Sequence, residues 1–192
     1  MELPHQVHAD IPSSWLVRWA PLIPPAGEVL DLACGGGRHA RFLAQQGHVV
    51  DAVDRDAQAL ALLAGVAGVR PLRADLEGGP WPYPDRAWDG IVVANYLHRP
   101  LFPSLLASLR PGGVLIYETF MAGNERWGRP SNPAFLLQPN ELLTAFGADL
   151  ALVAFEQGEV GQPKPAVVQR ICAVRTADVT RVRLPGSAAP AV

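Results

Sequence analysis

The stretch Glu28–His39, with the sequence EVLDLACGGGRH, decides the fold, because an apolar strand that carries a carboxylate runs directly into three glycines that open a helix. Glycine has no Cβ, so backbone N–H groups in such a turn can approach a ligand closely, and the helix N-terminus behind them adds a partial positive charge. The next apolar run, residues 49–54, ends in a second carboxylate, Asp54. We predict a βαβ unit whose turn cradles a nucleotide and whose second acid binds a ribose diol.

Composition limits the class of protein. The chain has 192 residues, 49% of them hydrophobic, and a formal net charge of −2, which suits one globular domain without a general attraction to nucleic acid or anionic lipid. No apolar run approaches the roughly 18 residues that cross a bilayer, and the first residues do not read as a secretory signal. We therefore expect a cytoplasmic monomer or homodimer without membrane or nucleic-acid partners. Cys34 and Cys172 read as free thiols in packed positions.

Strand and helix patterns alternate along the chain. Buried or half-buried strands are predicted at residues 29–34, 49–54, 69–75, 88–94, 114–120, 150–155 and 166–174. Helices are predicted at residues 37–46, 56–64, 101–109 and 141–146. Pro71 places the third strand near a sheet edge, and turn residues make the last two strands an antiparallel hairpin. We predict an α/β fold, a Rossmann-like three-layer sandwich around a mostly parallel seven-stranded sheet, with a C-terminal antiparallel hairpin.

The glycine turn alone leaves the ligand open. Residues 35–40 also satisfy Gly-x-Gly-x-x-Ala, the turn of nicotinamide and flavin enzymes. Asp31 stands inside the strand, where it suits a ligand with a cationic end better than an approaching pyrophosphate. Asp75 and Leu76 follow the third strand and suit the amino group and ring face of an adenine, and the chain ends in a hairpin rather than a catalytic domain. Together these features favour S-adenosylmethionine.

At these residues the chain resembles the class I S-adenosylmethionine-dependent methyltransferases. Their first motif, acid-x-Gly-x-Gly-x-Gly, is matched by Asp31–Gly37 with Ala33 in place of the first glycine. The ribose acid of the family matches Asp54, the adenine acid matches Asp75, and the fourth motif matches residues 89–96. Within the family, the chain looks most like the small tellurite-resistance and thiopurine-type branch. The resemblance implies a methyltransferase domain over residues 27–175, with a helical lead-in or lid at 1–26 and a flexible tail at 176–192.

The resemblance and the strand ends together give a set of candidate site residues. The expected cofactor-binding residues are Asp31, Ala33, Gly35, Gly37, Arg38, Asp54, Arg55, Asp75, Leu76 and Asn95. Substrate-facing residues should follow strands four and five, where ligands bind open α/β sheets. His98 is the candidate general base, and Tyr96 is expected beside the sulfonium. No metal site is predicted.

Two segments are candidates for covering the site. Residues 124–130 combine arginines, a tryptophan and glycine, a set suited to closing on an anionic or planar substrate. Trp15, Arg18 and Trp19 form either a second wall of a lid or part of the core.

The predicted function is methyl transfer from S-adenosylmethionine to a small molecule. The chain lacks the Asn/Asp-Pro-Pro-Tyr sequence of DNA amino-methylating enzymes, and its 18 acids outnumber its 16 Lys and Arg residues. Two alternatives remain open at this point. One is a nicotinamide-dependent reductase, and the other is a cofactor-binding protein that acts through a partner without catalysis.

Overall fold

A computed structural model describes residues 11–186, so the predicted lead-in and tail lie partly outside the described residues. One seven-stranded sheet organises this part of the chain. Its strands are β1 (Glu28–Leu32), β2 (Val49–Asp54), β3 (Val69–Arg73), β4 (Trp88–Ala94), β5 (Leu109–Phe120), β6 (Ala151–Val160) and β7 (Ala166–Val174). The helices are α1 (Ser14–Trp19), α2 (Arg38–Gln45), α3 (Ala57–Ala61), α4 (Phe102–Ala107) and α5 (Glu141–Phe146).

The strand order is β3-β2-β1-β4-β5-β7-β6. The first five strands pair in parallel, and β7 pairs antiparallel with both β5 and β6. This confirms the predicted Rossmann-like α/β fold with its C-terminal hairpin. It also confirms the edge position predicted for β3 from Pro71, since an edge strand tolerates a residue without an N–H group.

Helices cover both faces of the sheet, because side chains alternate along each strand. Val29 packs on one face against Trp15 of α1 and Leu43 of α2. Leu30 packs on the other face in a cluster that includes Leu105 of α4 and Leu142 of α5. The central strands are therefore buried on both sides, as their continuous apolar sequences require.

Several element boundaries differ from the predicted ones. β5 begins at Leu109 instead of residue 114, since Gly112 and Gly113 pair with Arg175 at 2.7 and 2.9 Å and join the strand with a register shift against β4. β6 continues to Val160 instead of ending at residue 155, because it keeps its pairing with β7. The start of the predicted tail contains a short 3₁₀ turn, Val179–Arg181.

Candidate functional site

Two adjoining clefts open at the carboxyl ends of the parallel strands. The larger measures about 580 Å³ and the smaller about 280 Å³, and Ala33 and Asn95 line both. The smaller cleft lies over the glycine turn and is lined by Ala33–His39, Ala94 and Asn95. The larger cleft has a β2 end, defined here as Asp54, Arg55, Asp56, Asp75, Leu76 and Glu77, and a β5 end, defined as Asn95, Thr119, Phe120, Pro130 and Phe135. Ten of the twelve predicted site residues line one cleft or the other; Asp31 and His98 do not.

The glycine turn is held in shape by the acid at the end of β2. The Asp54 carboxylate accepts hydrogen bonds from the backbone N–H of Gly35 at 2.8 Å and of Asp56 at 2.9 Å. Gly37 has a φ of 76°, and a Cβ at this position would overlap the side chain of Leu63. Ala33 also adopts the left-handed conformation, with a φ of 53°. The turn therefore presents backbone rather than side chains to the smaller cleft.

Asp31 lies beneath this turn with one oxygen unsatisfied. Its side chain is buried, and Oδ2 has no hydrogen-bond partner within residues 11–186. Burial raises the pKa of this carboxyl from 3.8 to about 7, although a hydrogen bond to the backbone of Ala40 and the charge of Arg38 oppose the rise. A buried acid without a cation is costly, so a cationic ligand group above it would be strongly favoured.

The β2 end carries a second acid, Asp75, whose carboxylate is oriented by backbone hydrogen bonds. Asp75 is exposed and accepts hydrogen bonds from the N–H groups of Glu77 at 3.0 Å and Gly78 at 3.1 Å. These bonds, with the charges of Arg55 and His98, hold the pKa of Asp75 below its ordinary value. Leu76 is buried beside it and supplies an apolar surface to the same cleft.

The β5 end offers uncharged polar groups. Asn95 has a left-handed φ of 57°, and its N–H donates to the Glu118 carbonyl at 2.9 Å, which holds its backbone at the junction of the two clefts. Thr119 follows Glu118 and is only 2% exposed. Tyr96 is positioned through its carbonyl, which accepts from the Tyr117 hydroxyl at 2.9 Å, and burial raises the pKa of Tyr96 above its ordinary value.

The segment between β5 and α5 reaches the larger cleft through Pro130 and Phe135. Its first part is clamped by Asn124, which is buried, accepts from the Val167 N–H at 3.1 Å and donates to the Pro130 carbonyl at 3.0 Å. Arg99 holds its later part by donating to the carbonyls of residues 134 and 136 at 2.9 Å. The segment is thus tied at both ends and supplies one wall of the cleft.

The other predicted residues are placed as follows. His98 lines neither cleft, although its charge contributes to the low pKa of Asp75. Trp15 and Trp19 are buried in the core beneath Arg18, so the structure favours the core interpretation over a wall of a lid. Cys34 and Cys172 are buried free thiols, as predicted.

Among the lining residues that were not predicted are His39 and Thr119. His39 in α2 is 4% exposed and accepts the Ser13 N–H at 3.2 Å, so it ties the lead-in to the glycine turn; burial lowers its pKa to about 3. Thr119 could have been found from its position at the end of the fifth strand. Among residues 11–186, no cluster of three or more metal-ligating side chains occurs, and no helix has the length and apolarity to span a membrane.

Comparison with known proteins gives matches to one kind of domain. Residues 29–113 match the family described as "Methyltransferase domain". Trans-aconitate 2-methyltransferase of Variovorax paradoxus is 32% identical over 111 residues, which cover 54% of this chain and 42% of that protein. The matched region thus spans less than half the length of this curated relative.

Solved structures share the fold. TehB from Haemophilus influenzae superposes with a TM-score of 0.72 at 19% identity, over 85% of this chain and 62% of the other. The glycopeptide N-methyltransferase MtfA, solved with S-adenosylhomocysteine, superposes with a TM-score of 0.60 at 19% identity, over 86% and 92% of the two chains. At these identities the likeness establishes the fold that the sequence predicted.

Proposed function

We propose that this chain, which has the class I methyltransferase fold and carries a methyltransferase domain over residues 29–113, transfers a methyl group from S-adenosylmethionine to a small molecule. The observation that carries the proposal is Asp31, a buried carboxylate with an unpartnered oxygen directly beneath a turn of bare backbone. An ammonium group above the turn would satisfy that oxygen, and the methionine part of this cofactor carries one.

The residues present fit this cofactor along its whole length. Its methionine end would lie in the smaller cleft against Gly35 and Gly37, with Arg38 near its carboxylate. Its ribose would meet Asp54, whose carboxylate is already aligned by two backbone N–H groups. Its adenine would lie at the β2 end between Asp75 and Leu76.

Arg55 and the region around Ala33 and Asn95 complete the proposed cofactor site. Arg55 lines the β2 end and can cover the adenine face with its guanidinium plane. Ala33 and Asn95 line both clefts and so would flank the reacting centre between them. When bound, the cofactor supplies a methyl group on a positively charged sulfur, so that the protein has to position the reactants and exclude water. Tyr96 would place its ring close to that positive charge, a contact worth about 0.5 to 2 kcal/mol.

A small acceptor is supported by the size and charge of the site. The larger cleft, about 580 Å³, has to hold part of the cofactor as well as the acceptor. The net charge of −2 gives no general attraction to a polyanion. The name of the curated relative, trans-aconitate 2-methyltransferase, also points to a small organic acid as the kind of acceptor.

Calorimetric titration with S-adenosylhomocysteine tests the proposal. We expect binding at micromolar concentration or tighter, and we expect Asp54→Ala to weaken it by about 1.5 to 3 kcal/mol, since charge-assisted bonds to the ribose would be lost. Absence of heat and of a thermal shift at millimolar ligand would remove the proposal. A thermal shift with NADH or NADPH alone would instead favour a reductase, and binding without turnover of any acceptor would favour a non-catalytic role.

A further inference from the structure

We infer that the β5 end of the larger cleft binds the acceptor as a carboxylate, with the Thr119 hydroxyl and the Asn95 amide donating hydrogen bonds to its oxygens. This inference rests on the proposed function and names the class of its acceptor. It starts from two polar side chains at neighbouring strand ends that face the same cleft.

Thr119 is the stronger of the two observations. Its side chain lines the cleft, the residue is only 2% exposed, and its hydroxyl has no hydrogen-bond partner among residues 11–186. Unlike the fully buried Oδ2 of Asp31, the unpartnered oxygen of Thr119 keeps some exposure, so it is open to a group bound in the cleft. A ligand oxygen in the cleft would satisfy this hydroxyl.

Asn95 stands beside it on the next strand. Its backbone is fixed in the left-handed conformation by the bond from its N–H to the Glu118 carbonyl, and its side-chain amide likewise has no partner within the described part of the chain. The neighbouring strands are about 4.8 Å apart, so donors at their two ends can reach the two oxygens of one carboxylate. The amide and the hydroxyl can each donate one hydrogen bond, so a planar anion with two acceptor oxygens can accept both at once.

The β5 end itself carries no acid. The acids that line the cleft follow β2 and β3. Asp54 lies at the end of β2, three strand spacings or about 14 Å from the end of β5, whereas Asp75 and Glu77 act on Tyr96 beside Asn95 and so face the adenine side of the cleft. Arg129, next to Pro130, is exposed and has no ion-pair partner among residues 11–186, so it adds a free positive charge at the rim.

The walls indicate the shape of the acid. Phe120 is half-buried, and Phe135 is 47% exposed although it lines the cleft. With Pro130 they give an apolar wall against which a flat unsaturated or aromatic body can pack. The acceptor class is therefore a carboxylate on a planar apolar body.

The chemistry of a carboxylate matches the absence of a base at this end. One carboxylate oxygen provides the electron pair of the new carbon–oxygen bond, the carbon–sulfur bond breaks, and its electron pair stays on the sulfur. The anion and the sulfonium become a neutral methyl ester and a neutral thioether, and no proton has to move. No histidine lies at the β5 end, and none is needed.

Binding to the complex with S-adenosylhomocysteine tests the inference without turnover. We would titrate the saturated complex with benzoate and trans-cinnamate, and with benzamide and trans-cinnamamide as uncharged counterparts. At least one acid should bind about tenfold more tightly than its amide, since bonds to a charged group are the stronger ones. Equal affinities, or no binding by either acid, would overturn the inference.

A pair of matched variants assigns the effect to the site. Thr119→Val keeps the shape of the side chain and should weaken acid binding about tenfold while leaving the amide nearly unchanged. Thr144→Val is the control, because Thr144 is exposed on α5 outside the cleft, and it should change neither. Both variants should bind S-adenosylhomocysteine like the parent protein. Failure of the parent to bind that ligand would refute the proposed function itself, whereas normal ligand binding with unchanged acid binding in Thr119→Val would refute only the assignment of the acceptor.

Discussion

Replacing Asp31 by Asn should make the protein more stable without ligand and less able to bind S-adenosylhomocysteine. The native carboxyl is fully buried, has an unpartnered Oδ2 and a pKa raised to about 7. An amide of the same shape can keep the hydrogen bond to the backbone of Ala40, carries no charge to desolvate, and loses the attraction to an ammonium.

The expected size follows from the pKa. Below pH 3.8 the carboxyl is protonated in both the folded and the unfolded chain, so its burial adds no dependence on pH. Between pH 3.8 and about 7 the folded state holds a proton that the unfolded state has lost, so the free energy of unfolding falls as the pH rises. A pKa difference of one corresponds to about 1.4 kcal/mol. Burial of the charged carboxyl therefore lowers the free energy of unfolding by about 4 kcal/mol above pH 7. Because the protein around a buried charge relaxes and reduces this penalty, we expect Asp31→Asn to raise the free energy of unfolding by about 2 to 4 kcal/mol at pH 8.

Urea unfolding of both proteins between pH 4.5 and 8 measures this difference. The gain from Asp31→Asn should be small at pH 4.5 and should reach its maximum near pH 8, while affinity for S-adenosylhomocysteine falls about 10- to 100-fold. Asp51→Asn is the control on the neighbouring strand, because Asp51 is buried but paired with Arg70 at 2.8 Å and Arg86 at 2.9 Å; it should lose stability. A destabilised Asp31→Asn variant, or a gain that does not change with pH, would refute the reasoning.

Three further perturbations test the turn and the chemistry. Gly37→Ala should cost about 2 to 4 kcal/mol in urea unfolding, since its Cβ would meet Leu63, whereas Gly47→Ala, which also has a positive φ but open space around it, should cost only about 1 to 2 kcal/mol. Ala33→Gly should change stability by less than about 0.5 kcal/mol, because relief of the left-handed alanine offsets the added freedom of the unfolded chain; a loss above about 1 kcal/mol would contradict this balance. His98→Ala should keep turnover of a carboxylate acceptor within about threefold, and a fall of 100-fold or more would identify a base and exclude an acceptor that needs none.

The fold could be predicted because its decisive signals are local and long. The apolar run of β4, Trp88–Ala94, and the turn after β1 specify buried strands and a helix start without reference to the rest of the chain. The start of β5 could not be predicted in this way. Gly112 and Gly113 join the strand only because Arg175, more than sixty residues later, supplies backbone partners. A local pattern cannot report a pairing of that range.

The site residues also differ in whether a local sequence signal predicts them. Asp54 and Asp75 could be predicted as candidates because an acid at a strand end is visible in the sequence, and the structure adds that backbone N–H groups align both carboxylates. The position of Thr119 at the end of the fifth strand is visible in the sequence, but its place next to Asn95 is not, since that depends on the register that sets β5 beside β4. His98 follows the right strand, but the chain turns into a 3₁₀ helix at Arg99 and leaves its side chain outside both clefts.

Within the described part of the chain, the two strand acids at the glycine turn form no ion pair, unlike the other acids of the sheet, and this difference argues for a reserved binding edge; even near the carboxyl end of β5, Glu118 pairs with Arg170 at 3.1 Å. At the amino ends of the strands, Glu28, Asp51 and Asp89 form ion pairs of 2.7 to 3.0 Å with arginines. At the carboxyl ends, no arginine or lysine among residues 11–186 forms an ion pair with Asp31 or Asp54. An arginine there would relieve the burial of Asp31 and would also block a cationic ligand. The stability given up at Asp31 is therefore the expected cost of keeping that edge open, and the Asn variant measures how large the cost is.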